Sequence, residues 1–148
     1  MSAFEAGQLD AARKRAAETL AANTDTRNWN YGNHVHEMNQ ILGRVALRQG
    51  KREEAKRALL AAGATPGSPQ LDSFGPNFVL ARELLVEGEK AVVIQYLDLV
   101  GRFWARHDPK RPDQRSGVEE KAALLAKWKD EIRAGKIPSD PHWRKRPD

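Results

Sequence analysis

Residues 33–62 read NHVHEMNQILGRVALRQGKREEAKRALLAA, and this stretch decides the fold. From Asn33 to Gln49 only Gly43 interrupts a run of helix-compatible residues. At about 100° per residue, Val35, Met38, Leu42, Val45 and Ala46 share one face. Asn33, Glu37, Gln40, Arg44 and Arg48 form a polar stripe on the opposite face. Gly50 suits a left-handed C-terminal cap, and Lys51 opens a second helix with Ala55, Ala58, Leu59 and Ala62 turned inward. Small residues at Gly43, Ala46, Ala55 and Ala58 permit a close crossing. The stretch predicts an antiparallel helical hairpin.

Similar patterns lie on both sides. Ser2–Gly7 reads as the last turn of a helix and Gln8–Ala22 as its partner, with Leu9, Ala12, Ala16 and Leu20 as the apolar stripe. Gly7 and Ala12 repeat the places of Gly50 and Ala55, so residues 1–22 predict a partial first hairpin. Asn23–Asn28 is a polar connection, after which Trp29 and Tyr31 are expected to pack against that hairpin. The second hairpin spans residues 29–62. The connection Gly63–Asn77 contains Gly63, Gly67, Gly75, Pro66, Pro69 and Pro76, with Leu71 and Phe74 as expected apolar anchors.

A third hairpin is predicted over residues 76–105. Phe78, Leu80, Ala81, Leu84 and Leu85 mark its first helix and Gly88 its cap. Ala91, Val92, Ile94, Tyr96, Leu97 and Val100 mark its second helix. After a proline-containing bend at His107–Arg115, Ser116 and Glu119 form a capping-box signature. The last helix, residues 116–135, carries Val118, Ala122, Leu125, Trp128 and Ile132 on its apolar side. It is expected to cap the open end of the array. Residues 136–148 form an extended tail with Trp143 as an available anchor.

Leu42-Gly43, Gly50, Ala55, Leu59, Ala62 and Pro66 resemble the tetratricopeptide repeat (TPR) pattern in order and near-correct spacing. Asn39 replaces the signature Trp and Ala46 the usual Tyr, so the unit is TPR-like and not consensus. NWNYGNHVHEMNQILGRVAL, TPGSPQLDSFGPN and a helix ending in Phe103-Trp104 together look like an uncharacterised bacterial group of TPR-like proteins. The resemblance implies an all-α fold, with antiparallel hairpins stacked as a short right-handed solenoid under a C-terminal capping helix. It supplies no chemistry. The long connections stretch the spacing of Gly7, Gly50 and Gly88 beyond the TPR period of about 34 residues, so irregular stacking is expected.

The 148 residues suffice for one domain, with the whole of 1–148 read as a single unit. No cysteine is present, which excludes disulfides and thiolate metal ligation. No apolar run approaches the roughly 20 residues of a membrane span. A soluble chain is expected, with the cytoplasm favoured and no membrane partner. The net charge of +5 concentrates in Arg102, Arg106, Lys110, Arg111 and Arg115, and in Arg144, Lys145 and Arg146.

In TPR-like arrays the first helix of each hairpin lines the concave surface. The resemblance therefore implies a groove of Asn33, Glu37, Gln40, Arg44, Arg48, Phe78 and Arg82. Three guanidinium groups there favour a carboxylate or an acidic protein or peptide segment. Glu37 is also placed to pair with Arg44. A second cluster, His36, Asn39, Ser73 and Asn77, reads as a polar clamp holding the Gly63–Asn77 loop, with a small-molecule or enzymatic pocket as its alternative. His34 and His36 lie two apart and diverge by about 200° on a helix, which excludes joint metal ligation. No nucleophile motif or phosphate loop occurs, so neither enzyme activity nor a cofactor is expected.

The function expected is a protein- or peptide-binding module or scaffold. A nucleic-acid alternative would use the basic bend and tail, with Trp104 and Trp143 as stacking surfaces. Self-association through the incomplete first hairpin is a further expectation.

Overall fold

Gly50 sits just past the end of a helix with φ at +75°, where any side chain would be strained. The following Lys51 N–H donates to the Ala46 carbonyl at 2.8 Å, and the Gly50 N–H to Leu47 at 3.1 Å. This double return satisfies carbonyls that a helix end otherwise leaves open. Gly88 and Gly135 close two later helices with the same bond pattern.

The computed structural model describes residues 1–144, and the described residues are all-helical. In chain order the helices are α1 (Ala3–Ala22), α2 (Tyr31–Arg48), α3 (Arg52–Gly63), α4 (Pro69–Phe74), α5 (Val79–Val86), α6 (Lys90–Trp104) and α7 (Arg115–Arg133). Short 3-10 turns occupy Pro112–Gln114 and Pro141–Trp143. α1 packs on α2, α2 on α3, α3 on α6, and α6 on both α5 and α7. None of the described helices is long and apolar enough to cross a membrane.

The core lies where α3, α5, α6 and α7 converge. Leu59, Leu80, Leu84, Val93, Leu97 and Val100 are fully buried, each worth about 1.5–3 kcal/mol of apolar transfer. Beside them, Phe78 stacks on Trp143 with centroids 4.8 Å apart and meets Trp128 edge-on at 5.2 Å. Trp104 stacks on Trp128 at 6.1 Å. These rings tie α5, α6, α7 and the C-terminal turn into one aromatic cluster.

Several expectations are corrected. Residues 1–22 do not contain a turn: α1 runs unbroken through Gly7, and its capping box is formed by Ser2 and Glu5. The apolar stripe of α1 is read correctly, but nothing packs around Gly7, so no second helix crosses there. Trp29 is exposed instead of packed against α1, and Phe74 is largely exposed whereas Leu71 of α4 is buried. α7 begins at Arg115, after Pro112–Gln114 has already turned the chain, so Ser116 does not cap it. Up to Arg144 the tail is not simply extended. Asp140 caps a 3-10 turn that delivers Trp143 into the core. Residues 145–148, with the Lys145 and Arg146 of the proposed basic tail, lie outside the described residues.

Candidate functional site

Helix α2 presents two polar faces with different fates. One carries Gly32, His36 and Gln40, all buried, against the Gly63–Asn77 connection. Gly32 is needed here because a Cβ would overlap the Gly67 carbonyl. The Thr65 hydroxyl donates to the Gly32 carbonyl at 2.6 Å and accepts from the Gly67 N–H at 3.2 Å.

One turn along, His36 is fully buried. Its Nε2 accepts from the Asn77 N–H at 2.9 Å, and its Nδ1 lies 2.9 Å from the Ala62 carbonyl. A carbonyl only accepts, so Nδ1 carries the proton and the ring is neutral. Its two nitrogens thereby join the end of α3 to the start of α5. Tyr96 and Phe103 flank the ring at centroid distances of 6.5 and 6.0 Å.

The next turn adds Gln40, whose Nε2 donates to the Asn77 carbonyl and lies 3.0 Å from Tyr96 Oη. The Tyr96 hydroxyl donates to the same carbonyl. Three side chains from α2 and α6 thus saturate the Asn77 backbone. This packing leaves His36 without exposed surface, and it lines none of the four hollows described below.

Asn39 and Ser73 take no part. The Asn39 amide donates to Val35 in its own helix, and Ser73 is exposed at a different cleft. His34 turns away to Asn30, 2.8 Å from its Nε2. Among the described residues, no cluster of three His, Asp or Glu side chains could hold a metal ion.

The other polar face of α2 remains accessible. Asn33 and Glu37 are half-buried, Ile41 is exposed, and Arg44 and Arg48 follow. Glu37 does not pair with Arg44. It lies 3.5 Å from the Asn77 amide, whereas Glu83 of α5 takes Arg44 at 3.1 Å and Arg48 at 3.5 Å. Two residues expected in this groove turn inward: Gln40 and Phe78 are each 1% exposed. Gln40 sits between the polar stripe and the His36 line on the helical wheel, and the Asn77 carbonyl draws it inside. Phe78 precedes α5 and plugs the aromatic cluster.

Along this surface adjoin hollows of about 420, 330 and 140 Å³. The first is bordered by Met1, Leu9 and Arg48, the second by Leu47, Arg48 and Val86, and the third by Val79, Arg82 and Trp143. Arg48 belongs to the first two, and Glu83 and Val86 to the last two. Glu83, Val86 and Leu47 went unnoticed in the sequence. The residue after an expected groove arginine and an apolar residue at a helix end carry no signal alone.

A separate cleft of about 690 Å³ lies between α4, the end of α6, the bend and the first turn of α7. Arg106, Arg111 and Lys121 line it, but so do Asp72, Asp108 and Asp113, so its charge is mixed. Trp104 and Trp143 are 5% and 1% exposed and offer no open stacking face for bases.

No protein-family model, curated protein or solved structure matches the chain.

Proposed function

We propose that the chain is a non-catalytic binding module, a short TPR-like array that holds a protein or peptide segment across α1, α2 and α5. In this reading α2–α3 and α5–α6 are successive repeats, with α7 as the cap. The observation that carries it is the run of adjoining hollows sharing Arg48, Glu83 and Val86 on the first helices of both hairpins. Val86 is 68% exposed there, an apolar contact surrounded by charge. Such a mixture of apolar anchor and charged rim suits a peptide better than a small molecule.

Electrostatics narrow the partner. Glu83 already engages Arg44 and Arg48, leaving Arg82 as the groove arginine without an ion pair among the described residues. One acidic side chain beside an apolar one meets that demand, and a run of acidic residues does not. His36 supports the non-catalytic reading, since both of its nitrogens are held by backbone groups.

The test is selection from a random peptide library, with recovered peptides measured against Val86→Glu and Arg82→Glu proteins. Peptides carrying an acidic and an apolar residue, bound by the parent and at least tenfold more weakly by each variant, support the groove. Failure to recover any binder, or equal binding to variants of unchanged helicity, refutes it.

A further inference from the structure

We propose that the outward face of α1 pairs with the same face of a second copy of this chain, antiparallel and about a two-fold axis. α1 packs chiefly against α2, with Ala16 buried and Leu9, Ala12 and Leu20 partly covered. Its opposite side is open along its length. Phe4 is 74% exposed, a Cβ at Gly7 would touch nothing, and Ala11, Lys14, Glu18 and Ala22 are exposed. Phe4, Gly7, Ala11 and Ala22 put small and apolar surface on this face, with Lys14 and Glu18 among them, and association would cover it.

Charge selects the occupant. Acidic Glu5 and Asp10 precede basic Arg13, Lys14 and Arg15 along α1, with Glu18 after them, so a parallel pair in register would align like charges. An antiparallel pair overlapping end to end brings Ala3 of one copy level with Ala22 of the other. Each flank of the helix then meets the same flank of its mate. Asp10 and Lys14 share a flank, and the two-fold places Asp10 within about 1.5 Å of the level of the second copy's Lys14. The symmetry repeats the contact in the other direction.

Both groups are available. Lys14 has no ion pair among the described residues, and Asp10 accepts a 3.4 Å bond from Gln49 at the exposed surface. On the other flank Phe4 comes within about 1.5 Å of the level of the second copy's Ala22, whose small side chain leaves room for the ring. The patch thus pairs Asp10 with Lys14 twice and seats Phe4 against a small residue, while Glu18 at its centre comes level with Gly7 of the second copy, one turn from its own Lys14. Neither Phe4 nor Lys14 lines the hollows assigned to a peptide, so the two surfaces are separable.

Sedimentation equilibrium across a wide concentration range tests the pairing. The parent chain should pass from 16.6 kDa to twice that mass as concentration rises. Phe4→Glu should remain monomeric, and Lys14→Asp should weaken the dimer about tenfold by reversing two symmetric contacts. The double variant Asp10→Lys/Lys14→Asp should recover the parent's affinity. These positions are exposed, and circular dichroism checks that helicity is unchanged. A single 16.6 kDa species at every concentration overturns the proposal. So does a dimer indifferent to the single charge reversal, or one that the double reversal does not restore.

Discussion

His36 and Asn77, far apart in sequence, meet through the ring Nε2 and the Asn77 backbone N–H at 2.9 Å. The opposite ring nitrogen reaches Ala62, so one side chain of α2 closes both ends of the Gly63–Asn77 connection. Removing that ring leaves a buried donor and a buried acceptor unmet. His36→Ala should cost about 3–5 kcal/mol, from the cavity together with the lost bonds, in urea unfolding. Nitrogen-detected NMR of the parent should show the Nδ1–H tautomer at neutral pH, and the Nε2–H form would contradict the geometry.

Two glycines should respond oppositely to the same change. Gly32→Ala drives a methyl group into the Gly67 carbonyl and should cost about 1–3 kcal/mol, with the connection displaced. Gly7→Ala meets open space inside α1 and should stabilise by about 0.5–1 kcal/mol. Thermal unfolding of the two variants reads both signs. Destabilisation by Gly7→Ala would favour the turn that the sequence suggested.

Trp143 is 1% exposed against Phe78 and Trp128. Trp143→Ala should cost about 3–5 kcal/mol and alter the near-ultraviolet signal of the remaining aromatic cluster. A tail lying loosely on the surface would instead tolerate the change within about 0.5 kcal/mol.

The turn that delivers Trp143 should loosen in acid. Burial pushes the Asp140 carboxyl upward, but bonds from the His142 backbone N–H and side chain outweigh it and hold it below its usual value of 3.8. A lowered folded-state value means that the ionised group stabilises the turn above that usual value. This contribution disappears as pH falls through the lowered one. Tryptophan fluorescence of the parent should therefore change in that acidic range, and Asp140→Asn should remove the transition.

Glu83 restrains two arginines at 3.1 and 3.5 Å on a partly exposed surface. Glu83→Gln should change stability by no more than about 1 kcal/mol, because such pairs are weak in water. It should strengthen binding of acidic peptides by exposing Arg44 and Arg48. Unchanged peptide preference in a titration would show that these arginines do not contact the ligand.

Local rules placed most of the helices. The stripes at Val45–Ala46, Ala55–Leu59 and Leu80–Leu84 recur at helical spacing. Gly50, Gly88 and Gly135 mark helix ends because only glycine accepts their positive φ cheaply. The same rules failed at Gly7 and Ser116. A glycine becomes a cap only if the chain turns there, and a capping box forms only if the preceding residues are not already helical. Neither condition is written in residue type.

The candidate site was legible only in its outline. His36 reads as part of a polar clamp on the Gly63–Asn77 loop, and Arg44, Arg48 and Arg82 lie on helices read correctly as helices. Which edge of a stripe faces inward is a different matter. Gln40 reads as part of the polar stripe, but the Asn77 carbonyl and Tyr96 hydroxyl, contributed by distant segments, offer it bonds inside. Phe78 and Trp143 looked available to partners until α5, α7 and the C-terminal turn assembled around one another. Periodicity and caps act within a few residues, so the sequence by itself determined an all-helical chain and where most helices run. Burial of a side chain is an agreement between segments far apart in the chain, and only the tertiary structure decided it.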